Sequence, residues 1–214
     1  MLIDHFPPAG LRLRTPRLEL RLPSPEQLAE LAQLAAGGIH EPGSMPFLIP
    51  WTELPAAEIA TRIVQRHWLG LGKWRPQSWS ADFTVLSEGT VVGLQTLHAQ
   101  DLAITGEVKT GSWLGLPHQG QGIGTEMRAA VLHLAFSGLG ALEACSAAFE
   151  DNLASQRVSR KLGYQDDGVE RCVVDGELRI DRRLRLTRAD WERRRTVPVE
   201  IEGLAPCLPF FGLT

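Results

Sequence analysis

Residues 119–124 read Gln-Gly-Gln-Gly-Ile-Gly and stand between a strand-like run, Ser112–Leu116, and an amphipathic helix starting near Ile123. This pattern describes an anion site built from backbone. Gly120, Gly122 and Gly124 let the chain turn tightly and bring main-chain N–H groups to a ligand without Cβ interference. The helix that follows aims its positive dipole end and its unpaired N–H groups at the same spot. A pyrophosphate suits that arrangement best. A Walker loop would need Gly-x-x-x-x-Gly-Lys-Ser/Thr, and no lysine follows these glycines. A dinucleotide fingerprint needs Gly-x-Gly-x-x-Gly after the first strand of a βαβ unit. Here the spacing is one residue short and lies past the midpoint of the chain, with Glu143 a weak candidate for the ribose acid.

A second group of reactive side chains lies downstream. Asn152, Ser155 and Ser159 fall at i, i+3 and i+7, one polar stripe on a helix face. Taken alone, the stripe reads as a cap and two surface serines. Candidate bases are Glu107 and Glu150 at strand ends and Asp175 in a hairpin, each of which by itself reads as a solvated charge. His118 precedes the glycine loop and reads as a loop residue.

The elements that must position these groups follow from periodicity. Leu11–Leu22 alternates as a first strand. Ser24-Pro25-Glu26-Gln27 is a capping box with proline at the first helical position, opening a helix that ends at Gly37-Gly38. Residues 39–55 are irregular, and 56–71 form a second helix with Ile59, Ile63 and His67 inward. Asp82–Leu86 and Val91–Leu97 make a hairpin, followed by a strand over about Val108–Leu116. After the glycine loop, Ile123, Met127, Ala130, Val131 and Leu134 recur at helical spacing up to Gly138-Leu139-Gly140. Ala141–Phe149 is a strand, Asn152 caps a helix reaching Leu162, and Val169–Val174 pairs with Glu177–Leu186 across Asp175-Gly176. Strands that meander and then cross over through helices predict an α/β fold with a mixed sheet.

At 214 residues and 43% hydrophobic content the chain can bury one sizeable core, placed at 1–196, with an apolar extension over 197–214 that packs on the domain or a partner subunit. A net charge of −3 gives no basic surface for nucleic acid. Met1–Gly10 lacks the basic start and apolar run of a signal peptide, and no run approaches the ~20 apolar residues of a membrane span. Cys145, Cys172 and Cys207 have no metal-type spacing and read as reduced, buried thiols of a cytoplasmic protein, with no metal site expected.

Gln119-x-x-Gly122-x-Gly124 resembles the Arg/Gln-x-x-Gly-x-Gly/Ala signature of the GNAT acyltransferase superfamily, whose loop holds the pyrophosphate of coenzyme A. Asn152-Leu-Ala-Ser155 with Lys161-Leu-Gly-Tyr164 resembles its Asn-x-x-Ser…Lys-x-Gly-Phe segment. Thr15-Pro-Arg-Leu-Glu-Leu-Arg21, Gly111-Ser-Trp113-Leu and Arg185-Leu-Thr-Arg-Ala-Asp-Trp191 resemble segments of the subfamily of ribosomal-protein alanine N-acetyltransferases. Gly111–Leu116, Gly124–Leu132 and the Arg-Leu-Thr-Arg run are also similar to a mycobacterial succinyltransferase of this fold.

The resemblance implies a mostly antiparallel twisted sheet whose central strands splay, with flanking helices and with the pantetheine arm of an acyl-coenzyme A in the opening. It assigns donor binding to Trp113, Leu114, Leu116, Gln119, Gly120, Gln121, Gly122, Ile123, Gly124, Thr125, Asn152 and Ser155, and oxyanion binding to an amide at about Leu114. Ser155 matches the subfamily's catalytic serine. Many members carry a tyrosine, as proton donor, where this chain has Ser159, and the subfamily's strand glutamate corresponds to Val174. Ser155, Ser159, Glu150 and Glu107 are the catalytic candidates, and Trp51, Trp68, Trp74 and Met45 lie where the family builds its acceptor wall. Core packing is the simpler expectation for Trp68. The implied reaction moves an acyl group, acetyl by default or succinyl, from the thioester to a primary amine, in a homo-oligomer. A succinyl donor would require a cation near the acyl end, with Arg62, Arg66 and His40 available. The alternative is an acyl-coenzyme A sensor that kept the loop and lost the base and acid.

Overall fold

The structure, a computed structural model, describes residues 1–214. Nine strands form one sheet in the order β7-β8-β6-β5-β4-β3-β2-β1-β9, with these ranges: β1 Arg12–Arg14, β2 Leu18–Arg21, β3 Ser78–Ser87, β4 Thr90–Gln100, β5 Glu107–Leu114, β6 Glu143–Phe149, β7 Gln165–Val174, β8 Glu177–Thr187 and β9 Glu200–Glu202. The helices are α1 Leu2–His5, α2 Pro25–Ala36, α3 Ala56–Lys73, α4 Leu102–Thr105, α5 Ile123–His133, α6 Leu153–Leu162 and α7 Arg188–Arg194. A π turn extends α5 over Leu134–Gly138. None of these helices is long and apolar enough to cross a membrane.

The capping box forms as read: Ser24 Oγ accepts from the Gln27 N–H at 3.2 Å, and Gln27 Oε1 accepts from the Ser24 N–H at 3.1 Å. The single strand expected over Leu11–Leu22 is instead the β1–β2 hairpin. Pro16 has no N–H for a ladder. Thr15 Oγ1 accepts the Leu18 N–H at 3.0 Å, which turns the chain over. The strand expected to run to Leu116 stops at Leu114, because Pro117 cannot extend a ladder and Leu116–His118 close a 3₁₀ turn.

Two cores sandwich the sheet. The larger lies between the sheet and α5 with its π turn; the smaller joins α2 and α3 to Leu86, Val91 and Leu94 on the opposite face. Residues beyond Val197 belong to the larger core. β9 pairs with β1, and Cys207 and Phe211 have no solvent exposure. Trp74, expected at the acceptor wall, packs instead under this segment and donates its indole N–H to the Phe210 carbonyl at 2.8 Å. Trp68 is 63% exposed rather than core, because Ile59, Ile63 and His67 form the buried stripe of α3 and turn position 68 outward.

The feature that positions the site is a fault in the sheet. β5 and β6 are its one parallel pair, and they are in register only over Glu107–Lys109 and Glu143–Cys145. Past Lys109 and Cys145 they part. β6 stays paired with β8 along its whole length and β5 with β4 over Lys109–Leu114, so each lip of the gap is held from outside.

Candidate active site

The glycine loop sits at the open end of the gap, at the N-terminus of α5. Gly122 is the N-cap with φ of 81°, a left-handed conformation that strains any side-chain-bearing residue by about 1–2 kcal/mol. Gly124 is different: a Cβ there would meet Leu114 Cδ1 and Val158 Cγ2 at an ordinary 3.7 Å, which agrees with a motif that accepts alanine at this place. The first paired amides of the helix are those of Thr125 and Glu126, both donating to the Gly122 carbonyl at 3.1 and 3.2 Å. The N–H groups of Gly120, Gln121, Gly122, Ile123 and Gly124 have no acceptor in the protein. Consecutive free donors at a helix N-terminus form an anion cradle.

Side chains around the loop brace it rather than fill it. Gln119 Nε2 donates to the carbonyls of Ile39 at 2.8 Å and Leu114 at 2.9 Å, tying the loop to β5 and to the segment after α2. Gln121 Nε2 donates to the Pro117 carbonyl at 2.8 Å. Arg17 Nη1 reaches the Gln121 carbonyl at 3.1 Å, and its Nε and Nη2 both lie 2.6 Å from Glu126 Oε2. Thr15 Oγ1 donates to Glu126 Oε1 at 2.7 Å, so the β1–β2 turn is pinned to the first turns of α5. Neither Arg17 nor Glu126 stands out in the sequence. Their partners lie more than a hundred positions away.

β5 supplies a free backbone edge. Gly115 N–H donates to the Val92 carbonyl at 3.1 Å. Alternation along an antiparallel ladder then turns the N–H groups of Ser112 and Leu114 away from β4 and into the gap, while that of Thr110 closes the short ladder with β6. The Trp113 side chain lies on the α2/α3 face with its ring 6.4 Å from that of Trp51, and Leu116 packs at Gly38. Neither residue, both expected to bind the donor, lines the gap: the Trp113 backbone faces β4, and the Leu116 N–H donates to the Gly38 carbonyl at 3.2 Å.

On the other lip, Asn152 Oδ1 caps α6 by accepting the Ser155 N–H at 3.1 Å. The Ser155 hydroxyl is half-buried and has no partner in the protein. Ser159 is not on an exposed stripe with it. Its Oγ is fully buried, donates to the Ser155 carbonyl at 3.1 Å and accepts from Arg128 Nη1 at 2.8 Å, so its hydroxyl is already committed. Arg128 also donates to Ser112 Oγ at 3.2 Å and is 4% exposed.

The opposite face of the gap opens into a cleft of about 480 Å³ beneath the loop residues Pro46–Leu48. Glu107 lines it, but at the closed end, where β5 and β6 are still paired, and its carboxylate is held by Arg185 at 3.1 Å. Glu150 lies outside, in a part-exposed pair with Arg182 at 2.7 Å. Neither is placed to take a proton at the parting strands. Asp181 is. It pairs with Phe149 at the open end of β6, lines the cleft, is 9% exposed and has no hydrogen-bond or ion-pair partner. Burial, then the neighbouring Glu170 charge, push its carboxyl above the usual aspartate range. His98, opposite Lys109 on β4, lines the same cleft, and burial followed by the Lys109 charge lowers its imidazole, favouring the neutral ring. Burial and the adjacent Glu107 push the Cys145 thiol in this cleft up to about 12, which disfavours the nucleophilic thiolate.

The arrangement therefore has an anion cradle, a free strand edge leading from it and a cleft with a raised carboxylate on the far side. The fold has counterparts among known proteins. The fold is shared with Mycobacterium smegmatis RimJ in complex with CoA-disulfide (20% identity, 82% of this chain and 85% of that one, TM-score 0.68). It is shared too with a GCN5-related N-acetyltransferase from Brucella melitensis (19%, 86% and 81%, TM-score 0.68). The ribosomal-protein alpha-N-acetyltransferase RimL in complex with coenzyme A is a third (18%, 81% and 95%, TM-score 0.61). Residues 17–165 match the acetyltransferase (GNAT) domain, and the chain belongs to that family.

Proposed function

We propose that the protein transfers an acyl group from an acyl-coenzyme A to a primary amine by direct attack in a ternary complex. The observation that carries this reading is the run of unpartnered amides at Gly120–Gly124 opening onto the parted strands. The cradle takes the pyrophosphate. The pantetheine amides pair with the free edge of β5 in the manner of an added strand. The Ser112 N–H, turned into the gap where the arm ends, rather than that of Leu114, is the donor for the developing oxyanion.

The amine enters through the cleft under Pro46–Leu48. It must lose a proton to attack, since a lysine side chain titrates near ~10.4 and an α-amine near ~7.7–8.0. Asp181, in reach of that cleft and without a cation of its own, serves as base, directly or through water. The Ser155 hydroxyl, free at the start of α6, contacts the reacting end of the donor. No cluster of His, Cys, Asp or Glu in the structure is arranged to hold a metal ion.

Acetyl is the default donor and succinyl the alternative. Of the cations read as partners for a succinyl carboxylate, Arg66 pairs with Asp82 at 3.4 Å and His40 Nε2 with Thr52 Oγ1 at 2.7 Å. Free thiol release from acetyl-, propionyl- and succinyl-coenzyme A, measured with a thiol reagent over protein N-termini, lysine peptides and polyamines, tests the reading. Gly122→Val should abolish coenzyme A binding by calorimetry while the fold persists, and Gly124→Ala should bind as the parent does. Binding of acyl-coenzyme A without thiol release for any amine would identify a sensor instead.

A further inference from the structure

Arg128 is the one buried cation that the reaction just described does not use. It projects from α5 across the mouth of the gap, donating to Ser112 on one lip, β5, and to Ser159 on α6, which continues the other lip. No carboxylate reaches it, and Tyr164 is the only titratable group acting on it. Its Nε is buried with no partner. Tyr164, itself buried, has its hydroxyl 3.4 Å from Thr110 Oγ1, and the neighbouring Cys145 thiol is neutral. A guanidinium enclosed by hydroxyls alone is costly, because burial without a counter-charge forfeits several kcal/mol of hydration. Such a site is completed by an anion.

This inference rests on the acyl-transfer reading. From the cradle, a pantetheine arm laid along the free edge of β5 runs from Leu114 back towards Thr110. That is four residues, about 13 Å of strand, and it delivers the sulfur to the stretch where Ser112 and Thr110 meet Arg128 and Tyr164. We propose that Arg128 is the counter-charge of the departing thiolate, so that coenzyme A leaves as an anion without a proton donor on α6.

The amine, neutral once its first proton has passed by way of Asp181 to water, forms the C–N bond with its lone pair, and the second proton, on the nitrogen after attack, passes to the Asp181 carboxylate. As the C–S bond breaks, its electron pair stays on sulfur, opposite the guanidinium. The thiolate takes a proton from water after release. Ser159 holds the guanidinium in place and acts through it, as a positioning residue.

The test is the pH titration of the thiolate ultraviolet absorbance of coenzyme A bound to the intact protein, with desulfo-coenzyme A as blank. The bound thiol should titrate about 1 unit or more below the free one, as an opposite charge at close range requires. Arg128→Met, which replaces a buried charge by an apolar side chain of similar size, should return it to the free value, and Arg128→Lys should keep much of the shift. In Arg128→Met, kcat should fall about tenfold or more, with KM for the donor changed less than about twofold. A bound thiol that titrates like free coenzyme A in the parent protein overturns the inference and leaves donor binding standing. So does a shift that survives Arg128→Met. Failure of coenzyme A to bind the parent at all overturns the acyl-transfer reading instead. Should Arg128→Met not fold, the parent and Arg128→Lys titrations still decide.

Discussion

Asp181 is the residue on which acceptor chemistry turns, and its environment predicts opposite effects on activity and stability. Acting as base it must be ionised, and burial with Glu170 nearby raises its carboxyl. The acid limb of kcat/KM should therefore lie above the ordinary aspartate value of ~3.9. A carboxyl whose folded value is raised stabilises the fold at low pH, and that contribution is lost as pH rises through the folded value. At neutral pH the ionised group is thus a burden on folding. Asp181→Asn should lower turnover on the order of 10²-fold and raise Tm at neutral pH, measured in one preparation. Unchanged turnover would pass the role to His98. The glycine loop was legible from sequence because its chemistry is backbone chemistry, and glycine is how a sequence writes free backbone. Asp181, Arg128 and Glu126 were not. An aspartate, an arginine or a glutamate looks the same whether solvated or buried, and what distinguishes these three is contact with distant segments.

Among the elements, α5 carries the most. It bears the cradle at its N-terminus, Arg128 on its inner face and, at Glu126, the attachment to the β1–β2 turn. All of Glu126–Leu132 is buried. The periodic stripe of Ile123, Met127, Ala130 and Val131 foretold a helix but not one enclosed on every side, since enclosure depends on what the rest of the chain packs over it. The Glu126 carboxylate answers three donor groups at once: the Thr15 hydroxyl, the Arg17 N–H and the Arg17 guanidinium. Glu126→Ala should cost about 2 kcal/mol, less than a fully buried pair because Arg17 is half-exposed, and should also weaken coenzyme A binding by loosening the loop. Chemical denaturation with an Arg17→Ala cycle measures this; strictly additive losses would dissolve the proposed brace. Helix caps and the closing hairpin were readable because each is a local device. The β1–β2 turn was missed because alternation continues across Thr15–Arg17 and hides the reversal there.

For the whole molecule, the gap divides the sheet into a part built on β1–β5 with β9 and a part built on β6–β8. Between β5 and β6 they share only the ladder over residues 107–109 and 143–145. Coenzyme A laid in the gap would touch both. A ligand that binds only the folded state stabilises it by about 2.7 kcal/mol at a hundredfold excess over Kd, so Tm should rise by several degrees. Hydrogen exchange at Ser112 and Leu114 should slow in step. A thermal shift without protection of those amides would mean that the ligand sits elsewhere.

A thioester seated between the parted strands would complete the sheet. Limited proteolysis should then nick the empty molecule sooner than the filled one, with the first cuts on the β6–β8 side or the β1–β5 side rather than in the ladder they share.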